Sequence, residues 1–136
     1  MRSLFPSSPA RAVFGPPGDG HGRGRLQCRV AVDIVALTLG VPAAEILSRR
    51  RAEAPISRAR HVAMYLSHVI FQLTLTGVAD GFGRDRSSVS YALARIEDER
   101  DDEEFDRQLT LMEQLAQSCR RLGSPGGGLE DLETGR

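Results

Sequence analysis

Apolar residues recur along the middle of this chain at steps of three and four, the spacing that gathers them on one face of an α-helix. From about Leu26 to Leu39 the positions Leu26, Val30, Ile34 and Leu37 form such a stripe, and Gly40 follows where a left-handed residue ends a helix. Val41 and Pro42 restart the chain into a short segment, Ala43 to Leu47, with Pro42 suited to its first helical position. The strongest pattern, Val62, Tyr65, Leu66, Val69, Ile70 and Leu73, predicts a core helix from Arg58 to about Phe71, capped by Ser57. A brief element over residues 75–82 turns Leu75, Val78 and Phe82 inward. Its Gly77 and Gly81 each weaken it by roughly 1 kcal/mol relative to Ala, so packing must hold it. Beyond Gly83 and Arg84, the stripe Val89, Ala92, Leu93 and Ile96 predicts a further helix with Asp85 as its N-cap. The last helix runs from about Asp102 to Leu122, with Phe105, Leu109, Met112, Leu115 and Cys119 on one face. Its acidic first turn complements the helix dipole.

These elements predict an all-α fold, a compact helical bundle over residues 25–122. Gly and Pro accumulate on either side of it. Residues 1–24 and 123–136 are therefore expected to be disordered tails, too poor in apolar groups to offset the entropy of ordering. The short helix, glycine turn and longer helix over residues 75–97 form a helix-turn-helix pattern. A helix that buries one face and offers donors from its N-terminal turn suits a DNA major groove.

Composition narrows the function. The 136 residues carry 18 basic and 18 acidic groups, and every basic residue is arginine. Without lysine, a P-loop nucleotide site is excluded. No stretch approaches a membrane span, and no secretory h-region is present, so a cytoplasmic, nucleoid-associated protein with reduced Cys28 and Cys119 is expected. Zero net charge conceals segregation: five arginines and one glutamate lie between Arg49 and Arg60, and eight acids with one arginine between Glu97 and Asp106. A domain with one DNA-facing side and one side turned away has this distribution. His61 and His68 lack the partners of a metal site, the serines lack a His–Asp relay, and residues 101–104 lack the spacing of a calcium loop. No catalytic residue, metal or cofactor is expected.

Three blocks, ILSRRR (46–51), RARHVAMYL (58–66) and FGRDRSSVSYALARIE (82–97), resemble the C-terminal DNA-binding domain of the bacterial chromosomal replication initiator, DnaA, in order and spacing. The last is similar to that family's signature F-G-G-R-D-H-T-T-V, and the resemblance covers about half the chain. It implies that Arg51, or its neighbour Arg50, enters the minor groove, and that Asp85, Arg86, Ser87 and Ser88 meet base edges in the major groove. Arg49, Arg50, Arg58, Arg60 and Arg84 would then contact phosphates, giving a log–log salt slope near −4 to −5. The chain departs from the pattern in four ways. Arg86 replaces a histidine, one glycine before Arg84 is missing, serines replace threonines, and the ATPase module that precedes this domain in the family is not seen. Arginine favours guanine O6 and N7, so the preferred site should differ from the initiator's box.

The expected function is sequence-specific binding of double-stranded DNA, regulating replication initiation or transcription by occupancy. The alternative is a protein-interaction module that kept the fold and lost readout, docking a basic partner on the acidic face 97–106. Binding no tighter than to random DNA would favour that alternative.

Overall fold

The computed structural model describes residues 16–123. Among them are six helices and no strand: α1 (Pro16–Leu39), α2 (Ala43–Leu47), α3 (Ala54–Val69), α4 (Leu75–Phe82), α5 (Arg86–Glu99) and α6 (Glu103–Gly123). The helical bundle read from the periodicity is the observed architecture. Helix α3 is central, packed between α1 and α5 and touching α2, α4 and α6. Six of its consecutive residues, Val62 to Ser67, are buried, so it is walled in on every side along that stretch.

Several boundaries and faces differ from the pattern. Helix α1 begins at Pro16, ten residues before the expected start at Leu26, so residues 16–24 of the expected N-terminal tail are helical. Tertiary contacts offset the low propensity of this glycine-rich turn: Gly24 lies against Leu73, and Arg23 donates to the Gly123 carbonyl at the end of α6 (3.2 Å). Residues 1–15 and 124–136 of the two expected tails lie outside the described residues. Along α1 the inward residues are Cys28, Ala31, Val32, Val35 and the expected Ile34, whereas Leu26 and Leu37 are 63% and 86% exposed. Small side chains face inward because α4 crosses closely there; a Cβ on Gly81 would stand 2.4 Å from Cys28 Sγ. On α6 Ala116, rather than Leu115 and Cys119, continues the buried face formed by Phe105, Leu109 and Met112. Val69, expected inside, is likewise exposed.

Helix α3 starts four residues earlier than Arg58, with Glu53 as an extended N-cap and Pro55 in the first turn, so Ser57 is an interior residue and not the cap. Pro42 is the N-cap of α2, one place ahead of its expected position. The turn from α3 to α4 places Gln72 at φ 62° and is held by His68, whose Nδ1 lies 2.8 Å from the Leu73 carbonyl. His68 is thus half-buried and structural. Thr74, which the pattern did not single out, caps α4 by accepting from the Gly77 amide (2.9 Å).

Candidate nucleic-acid interface

Helix α4 ends on Gly83, whose φ of 65° is left-handed, and the Gly83 and Arg84 amides return to carbonyls of the last turn. A side chain at Gly83 would be strained and would also meet the Arg49 guanidinium, whose Nε lies 2.8 Å from an added Cβ. The chain then turns through Asp85 into α5. As expected, the Asp85 carboxylate is the N-cap: Oδ1 accepts from the Ser88 amide (2.8 Å) and from the Ser87 hydroxyl (2.9 Å). The amide bond, followed by the two serine interactions, holds the Asp85 carboxyl below the usual carboxylate range. Val89, Ala92 and Ile96 bury the opposite face of α5 against the core, which leaves Asp85, Arg86 and Ser87 exposed at its N-terminal end.

The segment between α2 and α3 lies beside this end. A groove of about 490 Å³ separates the two, lined by Arg49, Arg51, Ser57, Arg60, Arg84, Ser87, Ser88 and Tyr91 among others. The sequence blocks around residues 49–51 and 84–88 are therefore neighbours in space. Arg50 and Arg86 are exposed beside the same loop and helix end, outside the groove lining.

Two of the expected phosphate contacts sit elsewhere in the chemistry. Arg60 is only 6% exposed; its Nε donates to the Ile46 carbonyl and its Nη2 to the Glu45 carbonyl, both at 2.9 Å. It anchors the C-terminal end of α2, where Ile46 is fully buried. Burial, and then the nearby Arg84 charge, lower its pKa from the ordinary arginine value. Arg58, exposed, pairs with Glu99 (2.9 Å) and stacks over the Phe105 ring at 4.7 Å. Arg84 reaches back to the Ser48 carbonyl (3.3 Å), while its Nε is buried without a hydrogen-bond partner.

Other residues joined the site through packing alone. His61 and Tyr91 meet edge to face, ring centroids 5.8 Å apart, on the wall shared by this groove and a second one of about 590 Å³ that extends to Arg95 and Glu99. Their places on α3 and α5 are legible in the sequence, but their contact requires the two helices to cross here. On the acidic side, Arg100 is ringed by Asp106 (2.6 Å), Glu113 (2.9 Å) and the Tyr65 hydroxyl (3.0 Å), and Glu99 takes Arg58 and Arg95. Part of the acidic run 97–106 thus serves to hold α5, α6 and α3 together. No helix among the described residues is long and apolar enough to cross a membrane.

The short helix, left-handed glycine, capped second helix and exposed polar N-terminal turn define a helix-turn-helix domain. Residues 30–96 match the family described as the bacterial DnaA protein helix-turn-helix. The chromosomal replication initiator protein DnaA of Burkholderia multivorans is 35% identical over 82 residues, covering 59% of this chain and 16% of that protein. That of Ralstonia nicotianae is 36% identical over 76 residues, covering 54% and 14%. A crystal structure of a DNA replication initiation factor superposes with a TM-score of 0.67 at 28% identity, over 76% of this chain and 32% of the other. A replication initiator DnaA bound to AMPPCP and single-stranded DNA superposes with a TM-score of 0.63 at 27% identity, over the same shares. The chain spans about a sixth of the length of the curated relatives it matches.

Proposed function

We propose that this domain binds double-stranded DNA sequence-specifically and acts by occupying its sites, in control of replication initiation or of transcription. The observation that carries the reading is the groove between the α2–α3 loop and the N-terminus of α5, where Arg49, Arg51, Arg84, Ser87 and Ser88 converge around a capped helix end. Anionic backbone favours such a place, since unpaired amides, the helix dipole and the guanidinium groups all attract it.

In this reading Arg51 enters the minor groove from the loop while Arg86, Ser87 and Ser88 face base edges from α5. Asp85 caps the helix and, through Ser87, orients one of the readers; its second carboxylate oxygen remains to accept from a base amine. Arg49, Arg50 and Arg84 lie where phosphates would flank the groove. Arg60 is buried and Arg58, though exposed, is already paired with Glu99, which leaves about three phosphate contacts. The log–log salt slope should then be near −3, shallower than the five arginines of the sequence suggest.

The experiment is selection of bound duplexes from a random library by the purified chain, followed by titration of the enriched site and of random DNA in about 0.1 M salt. Enrichment of a defined motif, with at least a hundredfold preference over random duplex, is the expected result. Binding that is equal on all duplexes would refute sequence-specific readout.

A further inference from the structure

The reading elements sit on two different pieces of chain, the α2–α3 loop and the start of α5, and three arginines join them. Arg60, from α3, holds the Ile46 and Glu45 carbonyls and so fixes the end of α2. Arg84, from the turn before α5, holds the Ser48 carbonyl directly after α2. Arg49 lays its guanidinium on Gly83, where no Cβ stands in the way. The loop is thereby tied to the helix-turn-helix turn at both sides of its root. Past that root, Arg50, Arg51 and Glu53 are exposed; the Arg50 amide donates to Ser48 Oγ (3.1 Å), and the loop rejoins α3 where the Ser57 amide donates to the Glu53 carbonyl (2.8 Å).

Arg84 is the member of this set whose geometry is hardest to explain as a simple surface cation. Its Nε is withdrawn from solvent with no acceptor, beside the like-charged Arg60, while Nη2 reaches Ser48. An arginine serving only a phosphate would gain by turning outward, where all its donors could be hydrated. This one is held inward by the contact that bridges loop and helix.

We propose that Arg84 is a positioning residue that fixes the loop arm relative to the start of α5, and so sets the spacing between the minor-groove and major-groove parts of the bound DNA site. The inference rests on the DNA-binding reading above. A rigid two-point reader rejects a duplex in which the two parts are moved apart, because each inserted base pair advances the second part by about 3.4 Å and turns it by roughly a tenth of a helical turn. Loosening the joint lets the loop follow the displaced groove.

The test uses the full chain and the motif obtained by selection, together with duplexes carrying one base pair inserted or removed between the two protected parts. If the wild-type chain yields no motif, the DNA-binding reading fails before this one is reached. With a motif in hand, the wild-type protein should bind the altered spacings at least tenfold more weakly. Arg84→Gln, too short to span to Ser48, should reduce that penalty to threefold or less. Arg84→Lys, which keeps the charge but replaces the fork with a single ammonium, should reduce it at least twofold and decides the matter should the first variant not fold. A variant that weakens every spacing by the same factor, leaving the penalty at its wild-type value, overturns the positioning role and leaves only a phosphate contact.

Discussion

Replacing Arg60 with alanine separates the role this residue has in the fold from the one its position suggests. The substitution removes two hydrogen bonds to carbonyls, at 2.9 Å each, from a side chain that is 6% exposed. A hydrogen bond from a charged donor is worth about 1.5–3 kcal/mol, and a buried carbonyl left without a partner carries its full desolvation cost. The Ile46 carbonyl is the buried one and accounts for most of the loss; the Glu45 carbonyl is partly exposed and keeps the Ser48 amide at 3.3 Å. Removing a shielded guanidinium beside Arg84 returns some of this, so a net destabilisation of about 3 kcal/mol is expected. For a domain of this size that lowers Tm by about 12–18 °C, read by the far-ultraviolet dichroism of a thermal melt. Arg60→Lys, able to satisfy one carbonyl, should fall near the middle. A melt within about 3 °C of wild type, together with a salt slope shallower by about one, would falsify the anchoring argument and restore Arg60 as a phosphate contact.

Arg86→Ala should flatten the base preference at one or two positions of the selected motif, each by roughly 1–3 kcal/mol, whereas Arg50→Ala should weaken all duplexes alike; equal losses on motif and random DNA for Arg86→Ala would remove it from base reading. His61 is held below its ordinary pKa first by burial, then by Arg95, with Arg60 and Arg84 adding to this and Glu99 opposing it. The folded state therefore binds fewer protons than the unfolded chain below about pH 6.5, so stability is intact above that pH and declines as pH falls through it. Melts at pH 5.5 and 7.5 should show a smaller decline for His61→Gln than for wild type, and an identical decline would refute the assignment. Gly81→Ala gains about 1 kcal/mol of helix propensity but drives a methyl to within 2.4 Å of Cys28 Sγ, so Tm should fall; combining it with Cys28→Ala should recover part of the loss. If Gly81→Ala alone raises Tm, the close approach of α1 and α4 is not as tight as described.

The sequence by itself determined the number and order of the helices and the place of the capped, polar helix end. Val89, Ala92 and Ile96 are all fully buried, because their period matches the helix repeat and α5 packs against α3 and α4. Gly40 and Gly83 both adopt positive φ, and Asp85 caps α5, because these are properties of the backbone at a helix end and need little from distant parts of the chain. The expected Phe105, Leu109 and Met112 of α6 and Ile34 of α1 are buried, but only the tertiary structure decided which residues join them. Periodicity ranks leucine above alanine and cysteine, but the close approach of Gly81 to α1 accepts the small Cys28, and Leu26 and Leu37 are left exposed; on α6 Ala116 is buried and Leu115 is not. Tertiary structure likewise sorted the arginines. In a linear chain Arg49, Arg58 and Arg60 are equivalent cations on a basic segment, and Arg84 is one more cation in the turn before α5. In the fold they become a side chain laid on a glycine, a partner of Glu99 and Phe105, an anchor for α2 and a tie to Ser48. A guanidinium has five donors and a long stem, and which carbonyls come within its reach is settled by how helices cross, not by which residues stand next to it. The capped, polar N-terminus of α5 was therefore legible from the start, whereas the contacts of Arg84 with Ser48 and of Arg49 with Gly83 were not.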